Sequence, residues 1–544
     1  MVKVLATNIT SPIGWTTEQN YQAYRQGESA LMCYDSEQPY TASLFTTIQQ
    51  SQMAIEGFTR FESLVIHSIK EALSHTIVDV TDNRTIFILS TTKANVEELQ
   101  AKKSVRNAYL TPGETAQKIA DYLGFHTTPI VVSNACISGV SAQIAAIRML
   151  EIGMYDKAVV CGADTISSFT INGFQSFMSL SPQPCRPFDM ERTGINLGEA
   201  AATIVLTNDT FLPKWNGWIL VRGAITNDAY HLSAPQPKGE GMLDAIRIAL
   251  GDVQPNELAT VNAHGTGTMF NDQMESKAIE QSLLSNVPVS AYKGCYGHTL
   301  GASGILESIL TMRAIEDEIV LPVRGFENKG VSGRININKE SCLCKKKLFL
   351  KIISGFGGCN ASLLYSKSKE GKYTENCYNK QDSELHILHE WKAEANFSPV
   401  QEYKQHIGNY PRFYKMDKLC QTAFVATELL LQDAEKKPTS LILFNRSSSI
   451  LSDKKHLEEI DNNGLASPSV FLYTLPNIML GEVAIKHGIH GETSLYILEH
   501  RDEKLMAQII ESAFRLGESD CILSGWIDCP DEQHIEADFK LYSK

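Results

Sequence analysis

The sequence predicts an α/β fold in which helices cover layered β-sheets. Short apolar segments at residues 85–90, 157–162 and 201–206 have the length and composition of strands, and a stretch at 141–152 has the amphipathic period of a helix. A second set of strand and helix signals extends from 218 to 365. Strands that alternate with helices along a chain are typical of helices packed against sheets.

The length and charge of the chain limit what it can be. Its 544 residues exceed one ordinary core and predict two to four folding units, and 43% hydrophobic residues can supply their cores. The formal net charge of −13 argues against general nucleic-acid binding, which needs a basic surface that neutralises phosphates. A polar stretch rich in Lys, Glu, Asn and Gln at 367–384 predicts a linker.

The sequence also predicts a cytoplasmic protein without a membrane span. Met1 is followed directly by an alternating, strand-like segment rather than by a basic leader and an apolar core. No apolar run approaches the roughly 20 residues that a bilayer requires. Twelve cysteines without regular spacing indicate reduced thiols rather than a disulfide framework.

Cys136 is the first candidate for chemistry. It lies where an apolar, strand-like run passes into a small-residue segment, with Ser138 and Gly139, that can begin a helix. The unpaired N–H groups and the positive dipole end of a helix favour thiolate, so we expect the pKa of this thiol to be lowered. The alternative is a buried, inert cysteine at a strand end, because free cysteines are commonly buried.

Three glycine-rich loops carry the other candidates. His264 ends an apolar strand and enters a loop of two glycines and two threonines that can present polar groups to a ligand. His298 follows Lys293 by five residues and precedes a small-residue helix start, and a third turn occupies 355–360. A loop histidine alone is more often structural, so the prediction depends on the combination of one cysteine, one lysine and two histidines.

In this combination the chain resembles the β-ketoacyl-acyl carrier protein synthases, the condensing enzymes of fatty acid and polyketide synthesis. The resemblance covers residues 1–366. It includes the Ala-Cys-x-Ser-Gly motif at Cys136, the stretch 181–194 and the dipeptide Gly198-Glu199, with the three loops in family order. The joint match makes a purely structural use of all these residues improbable.

The resemblance implies a thiolase-like αβαβα layered fold built from two similar halves. The first half would be 1–206, with the nucleophilic cysteine, and the second half 207–366, with the histidines and the lysine. This body is shorter than many family members, which indicates trimmed loops.

The resemblance also implies an acyltransferase activity and roles for individual residues. Cys136 accepts an acyl group, and the backbone N–H groups of Cys136 and Phe356 form its oxyanion hole. Malonyl then loses carbon dioxide in a decarboxylative Claisen condensation, while His264 and His298 donate hydrogen bonds to the thioester oxygen. The remaining assignments are Phe356 as a gate beside the cysteine, Lys293 as a site organiser with Glu307 as its partner, Thr266 and Thr268 on the pantetheine arm, and Gly357 in substrate binding.

The implied chemistry needs no metal and no cofactor of the chain's own, because 4'-phosphopantetheine arrives on the carrier protein. The expected partners are acyl carrier protein, in its acyl and malonyl forms, and a second ketosynthase subunit in a homodimer or a heterodimer. The acyl chain and the pathway stay open among fatty acids, aryl or other polyenes and other polyketides, with a preference for a specialised pathway.

Residues 385–544 repeat features of the first half in order and spacing. The segment 440–445 matches the strand at 85–90, and 483–490 matches 119–126. Carried along the chain, this alignment places the equivalent of Cys136 at Glu499 or His500. The sequence therefore predicts a degenerate copy of the first half without a nucleophile, although any two α/β segments share some of this pattern.

Two other functions compete with an active ketosynthase. A chain-length-factor-like or scaffolding subunit would keep the fold and bind a carrier protein or a partner ketosynthase without condensation. Residues 1–366 retain Cys136, His264, Lys293 and His298, which argues against the scaffolding function for this part. The scaffolding function suits residues 385–544. A thiolase or a coenzyme A-linked starter synthase would carry a second cysteine, or an asparagine in place of His298.

Overall fold

One mixed β-sheet of sixteen strands extends through the described part of the chain. The computed structural model describes residues 1–35, 39–100, 111–209, 215–367, 385–432 and 434–544. All of the predicted linker 367–384 except its first residue therefore lies outside the described residues. The architecture agrees with the predicted α/β class.

The first half supplies the strands and helices that carry the cysteine. Its strands are β1 (Val2–Thr10), β2 (Leu31–Tyr34), β3 (Tyr40–Ser43), β4 (Thr85–Ser90), β5 (Ile130–Val132), β6 (Lys157–Asp164), β7 (Leu197–Gly198) and β8 (Ala200–Thr207). Its helices are α1 (Thr17–Gln26), α2 (Thr47–Met53), α3 (Arg60–Ser74), α4 (Val96–Gln100), α5 (Pro112–Leu123), α6 (Ser138–Glu151) and α7 (Ser168–Ser176).

The second half supplies the elements that carry the histidines. Its strands are β9 (Ile219–Asn227), β10 (Leu258–Asn262), β11 (Pro288–Ser290), β12 (Ile319–Val320), β13 (Asn336–Ile337), β14 (Cys342–Leu343), β15 (Leu348–Gly355) and β16 (Cys359–Ser366). Its helices are α8 (Glu240–Leu250), α9 (Met269–Gln281), α10 (Lys293–Tyr296) and α11 (Ser303–Glu316).

The C-terminal unit, residues 385–544, is a third α/β unit of strands and helices. Its strands are β17 (His386–Lys392), β18 (Ser440–Asn445), β19 (Thr493–Ile497), β20 (Cys521–Asp528) and β21 (Glu536–Ser543). Its helices are α12 (Pro399–Glu402), α13 (Lys418–Leu431), α14 (Ile450–Asn463), α15 (Pro468–Tyr473), α16 (Ile478–His487) and α17 (Glu503–Leu516).

The same strand order occurs three times in this sheet. The first half has the order β1-β8-β6-β4-β5, the second half β9-β16-β15-β10-β11 and the C-terminal unit β17-β21-β20-β18-β19. Helices α6 and α11 are buried along almost their whole length and pack against each other, with Gly139 beside Gly304. The two halves therefore enclose a central helix layer, as in the thiolase-like fold that the resemblance implies.

The C-terminal unit joins the first half through an antiparallel ladder between β5 and β19. Val131 pairs with Ile497 and Val132 pairs with Tyr496. An edge strand presents unpaired N–H and C=O groups, and this ladder satisfies those of β5 within one chain. No helix among the described residues combines the length and apolar character needed to cross a bilayer.

The register of the two sheets corrects the predicted equivalent of Cys136. Val132 pairs with Ser90 in the first half, and Ile497 pairs with Asn445 in the C-terminal unit. Helix α6 begins six residues after Val132 and α17 begins six residues after Ile497, so the two loops have equal length. Cys136, four residues after Val132, therefore corresponds to Arg501. The prediction of Glu499 or His500 was wrong because it assumed a gap in the alignment, whereas the two loops have equal length.

Candidate active site

Cys136 lies in a strained turn between β5 and α6. Ala135 has φ +46°, a left-handed conformation, and residues Ala135–Ile137 form a single 3-10 turn that leads directly into the helix. Ser138 fastens this turn: its hydroxyl accepts from the N–H of Asn134 at 2.8 Å and donates to the carbonyl of Ala135 at 2.6 Å. The chain thus reverses sharply and leaves the thiol at the beginning of α6.

The thiol lies beside both predicted histidines. The sulfur of Cys136 and one ring nitrogen from each of His264 and His298 all lie within 4.8 Å of one another. The two imidazole rings meet edge to face, with 4.9 Å between centroids and an angle of 81° between planes. The same three atoms could bind a thiophilic cation such as Zn²⁺, which would block the thiol.

The protonation of His298 follows from its contacts. Its Nδ1 accepts the backbone N–H of Leu300 at 3.1 Å and lies 2.9 Å from the hydroxyl of Ser303. In the neutral ring the proton is then on Nε2, which is buried and has no hydrogen-bond partner in the described structure. His298 can therefore donate a hydrogen bond into the site. For His264, the buried Nδ1 also lacks a partner.

A buried ionic cluster supports the loop of His264. Lys293 Nζ donates to the carbonyl of His264 at 2.7 Å and to Glu307 at 2.5 Å, as the resemblance implies for an organiser and its partner. Glu307 also pairs with Lys351, whose Nζ lies 3.3 Å from the carbonyl of Ala263. Sequence reasoning missed Lys351. A lysine inside the otherwise apolar strand β15 is the signal that could have identified it.

Two acidic side chains of α9 hold the same loop from its other side. Glu275 accepts from the N–H groups of His264 and Gly265 at 2.7 and 2.8 Å, and Asp272 accepts from that of Thr266 at 3.1 Å. Both carboxyl groups are buried, and burial raises the pKa of each. Neither was assigned a role from the sequence, although both lie in the segment that follows His264.

The glycine-rich turn after β15 approaches the thiol with its backbone. The N–H groups of Phe356 and Cys136 both lie near the sulfur, and each lowers the pKa of the thiol. Gly357 and Gly358 have φ of +90° and +74°, conformations that side chains other than glycine rarely adopt. The turn can therefore bring a peptide N–H close to the cysteine.

A cavity of about 340 Å³ opens onto the thiol. Its lining is mostly apolar. Six of the predicted site residues contribute to it: Cys136, His264, His298, Thr266, Thr268 and Phe356. The hydroxyls of Thr266 and Thr268 lie 2.8 Å apart. The wall of this cavity does not include Gly357, Lys293 or Glu307, which lie behind its lining.

A second, small cavity of about 20 Å³ lies behind Cys136 and Phe356. Its wall includes Phe471 and Leu475, two residues of the C-terminal unit, together with Lys93 of the first half. The ring of Phe471 lies against Gly173, where an added Cβ would be 2.1 Å from the ring. The C-terminal unit therefore closes the space behind the nucleophile.

Burial dominates the acid–base properties of the site. Cys136 has some exposure to the cavity, but the atoms packed around its sulfur raise the pKa of the thiol to about 12 against the smaller opposing effects of Lys293 and the two N–H groups. This contradicts the expected lowering by the helix. Burial, followed by the charge of Lys293, holds the pKa of His264 and of His298 well below the usual range, so both rings are neutral at pH 7.

Two family domains match residues 7–327 of this chain with one short gap. The β-ketoacyl synthase N-terminal domain matches residues 7–210 and the β-ketoacyl synthase C-terminal domain matches 219–327. A curated relative, 3-oxoacyl-[acyl-carrier-protein] synthase 2 of Mycobacterium leprae, is 36% identical over 215 residues, which are 37% of this chain and 50% of that protein. The match with that relative thus spans about half its length.

Two solved structures extend the comparison. One is the ketosynthase ApeO in complex with its chain length factor ApeC from Xenorhabdus doucetiae, with 27% identity, a TM-score of 0.59 and coverage of 67% of this chain and 97% of that chain. The other, PfaC keto synthase-chain length factor, has 13% identity and a TM-score of 0.79 and covers 100% of this chain and 78% of that one, a likeness of fold alone.

The two matched domains together account for more than half of the 544 residues and contain Cys136, His264 and His298. The fold and the motifs agree with that match, and the chain belongs to the β-ketoacyl synthase family.

Proposed function

We propose that this chain is a β-ketoacyl-acyl carrier protein synthase that extends a Cys136-bound acyl chain by decarboxylative Claisen condensation with malonyl carrier protein. One observation carries the proposal. The sulfur of Cys136 lies within 4.8 Å of two ring nitrogens from buried, neutral imidazoles and faces two backbone N–H groups. This arrangement provides a nucleophile, a proton acceptor and two sets of hydrogen-bond donors at one point.

In the first half-reaction, Cys136 attacks the thioester carbonyl of the acyl carrier protein. With its pKa raised to about 12, the thiol is protonated at rest, so its proton must leave as the sulfur attacks. Because Nε2 of His298 already carries a proton, His264 is the ring assigned to accept it. The N–H groups of Cys136 and Phe356 stabilise the oxyanion, and the phosphopantetheine sulfur leaves as a thiol with the proton that His264 accepted.

In the second half-reaction, the malonyl group loses carbon dioxide. The electrons of the broken C–C bond form an enolate, whose oxygen receives hydrogen bonds from His264 and His298. The α-carbon then attacks the acyl carbon on Cys136, the C–S bond breaks, and the Cys136 thiolate that leaves takes up a proton from solvent to restore the resting thiol. Neutral donors suit this step because they stabilise developing charge without themselves needing an anionic partner in the ground state.

The carrier protein supplies 4'-phosphopantetheine in this proposal, and the chain brings neither a cofactor nor a metal of its own. Thr266 and Thr268 line the open cavity and are assigned to the pantetheine arm, while Gly357 only shapes the turn behind it. The small cavity beyond Phe356 supports a short acyl group and a specialised pathway. The described cysteines are free thiols, which supports a reducing, cytoplasmic location.

For the C-terminal unit we propose the place of the second subunit. The edge of β5, through which another ketosynthase could add its sheet, is occupied by β19 of the same chain. Arg501 replaces a nucleophile there and pairs with Asp538 at 2.7 Å, so this unit fits the non-condensing, chain-length-factor-like function. In this proposal the C-terminal unit takes the position that a second ketosynthase subunit would have across this edge.

Intact-mass analysis tests the proposed activity. Native protein incubated with acyl carrier protein should gain one acyl mass, and malonyl carrier protein should then remove it as a β-ketoacyl product. Cys136→Ala should gain none. An acyl adduct that survives this substitution, or a native protein that never becomes acylated, would contradict the assignment.

A further inference from the structure

The C-terminal unit contacts the oxyanion turn, which is the glycine-rich turn 355–358 at the end of β15. The contact is made by Asn477, the residue that precedes α16. Asn477 is 3% exposed, and its side-chain amide donates to the carbonyl of Phe356 at 2.8 Å. Four residues later, an added Cβ on Gly481 would lie 2.8 Å from the carbonyl oxygen of Gly357. Glycine inside a helix costs roughly 1 kcal/mol relative to alanine, and here it allows α16 to lie directly on the turn.

The side chain of Asn477 does not cap helix α16. It precedes the first residue of α16, where an asparagine side chain usually accepts a backbone N–H of the helix, yet it makes no such cap. Its amide is directed at Phe356 instead. With φ −69° and ψ −8° its backbone is already helical, so the side chain is not placed to cap α16 and instead joins the C-terminal unit to the catalytic body.

The duplicated sheet provides an internal comparison. Helices α5 and α16 each end at a left-handed glycine, Gly124 and Gly488, and counting eleven residues back from these places Gly113 opposite Asn477. An added Cβ at Gly113 would lie 2.6 Å from the backbone nitrogen of Glu499. The two equivalent helices thus differ at this point: glycine faces the loop without a nucleophile, and asparagine faces the loops around Cys136.

Hydrogen bonds from neighbouring residues hold the backbone polar groups of the oxyanion turn in place. Asn227 donates to the carbonyl of Gly357 at 2.9 Å, the N–H of Gly357 donates to Leu232 at 2.6 Å, and the carbonyl of Gly358 accepts from Asp228 at 2.7 Å. Asn477 holds the carbonyl of Phe356. These contacts leave the N–H of Phe356 unused and near the sulfur of Cys136, where it lowers the pKa of the thiol. A rigid turn matters because a donor that must reorganise during reaction stabilises the oxyanion less.

The C-terminal unit also holds the other donor of the oxyanion hole. The N–H of Leu495 donates to the side-chain oxygen of Asn134 at 2.8 Å, and Ser133 donates its N–H to the carbonyl of Leu495 at 3.2 Å. Asn134 lies two residues before Cys136, in the strained turn. One unit thus contacts both segments whose N–H groups converge on the reacting sulfur.

We propose that Asn477 is a positioning residue of the oxyanion hole, through which the C-terminal unit sets the Phe356 N–H for the acyl-transfer steps. The inference rests on the proposed function, since an oxyanion forms only if Cys136 attacks a thioester. It makes the C-terminal unit a working part of the catalytic site in addition to a cover for the β5 edge.

Two reactions of the same sulfur separate positioning from folding. Acylation of Cys136 by acetyl carrier protein develops an oxyanion, whereas alkylation by iodoacetamide displaces iodide and does not. In the full-length protein, Asn477→Ala should slow single-turnover acylation by about 10- to 100-fold, below the 10²- to 10³-fold loss of a direct donor. Alkylation should stay within about twofold, and the steady-state loss should fall on kcat with KM unchanged.

Two further variants make the test decisive. Asn477→Asp keeps the shape but places a carboxylate oxygen against the Phe356 carbonyl, so acylation should be slower than in Asn477→Ala. Arg446→Ala, which removes an exposed ion pair with Glu114 at the same boundary between units, should acylate at the native rate. If Asn477→Ala unfolds, the isosteric Asp variant decides.

The outcomes distinguish the positioning function of Asn477 from the proposed activity. Native acylation rates in both Asn477 variants, or an equal loss of acylation and alkylation, would overturn the positioning function while leaving the proposed activity in place. Failure of the native protein to become acylated, with Cys136 still alkylated, would overturn both.

Discussion

Val132 lies opposite Tyr496 in an antiparallel ladder, so the sheet of the first half continues without a break into that of the C-terminal unit. The ladder is short, but around it the two units bury an aromatic cluster and charged pairs. Their association is therefore a folding contact rather than a loose tethering.

Removal of residues 385–544 should expose the edge of β5 and the apolar surface around Phe174 and Phe356. An unpaired edge beside apolar surface promotes association, so the truncated chain should self-associate or precipitate where the full-length chain does not pair through this edge. Light scattering after size-exclusion chromatography measures this. A truncated protein that stays monomeric with an unchanged Tm would show that the ladder contributes little.

The buried ion pair between Arg148 and Glu492 should be costly to break from one side. Their side chains are 6% and 7% exposed, with 2.7 Å between Nη1 and Oε2. Arg148→Met leaves a buried carboxylate and should lower the free energy of unfolding by about 3–5 kcal/mol. The double variant Arg148→Met/Glu492→Leu should recover most of this loss in urea denaturation, and a double variant as unstable as the single one would contradict the prediction.

Phe471→Ala should enlarge the cavity behind Cys136 and allow longer acyl chains. The ring closes this cavity from the C-terminal unit and meets the rings of Phe174 and Phe177 edge to face, at 5.5 and 6.3 Å between centroids. Competition between butyryl and octanoyl carrier proteins, followed by intact mass, should shift toward the longer chain. Leu472→Ala, a neighbouring buried change outside the cavity wall, is the control and should leave the preference unchanged.

Alkylation of Cys136 should keep accelerating with pH. Because burial raises the pKa of this thiol to about 12, the reactive thiolate fraction increases about tenfold per pH unit from pH 7 to 10. Iodoacetamide modification of the free enzyme, followed by peptide mass, should therefore show no plateau in that range. A rate that levels off near pH 7 would indicate a thiolate stabilised by the helix.

The two histidines should affect the half-reactions unequally. His264→Ala removes the assigned proton acceptor and one donor to the enolate, so it should slow both acylation of Cys136 and malonyl decarboxylation. His298→Ala removes an Nε2 donor and should leave acylation within a few fold while malonyl decarboxylation drops by about 10²- to 10³-fold. Single-turnover acylation and release of labelled carbon dioxide measure the two steps separately. Equal losses in both steps for both variants would argue against this division.

The motifs around Cys136, His264 and His298 could be predicted because each is local: a strand end, a tight loop and small residues. What they do to one another depends on packing that no window of sequence contains. The helix position of Cys136 suggested a lowered thiol pKa. Atoms from the second half and the C-terminal unit surround the sulfur, however, and their effect on the pKa exceeds that of the helix. Lys351 was missed for a related reason, since its partner Glu307 lies 44 residues away.

The repeat of the first half was visible in strands and helices, where periodicity is strong, and weaker in loops. The equivalent of Cys136 was therefore misplaced, and the strand ladder was needed to reach Arg501. Asn477 gave no signal at all in the sequence, because an asparagine before a helix is ordinarily a cap. Only the docking of α16 on the glycine turn shows its different use.

The occupied edge of β5 also fixes the number of reactive centres. Two like subunits paired across such an edge would carry two thiols, and binding at one could alter the other. This polypeptide has twelve cysteines but one assigned nucleophile, Cys136, and the C-terminal unit beside it is covalently attached and cannot exchange. Turnover should consequently follow simple hyperbolic saturation, and a covalent inhibitor should reach full inactivation at one equivalent per chain.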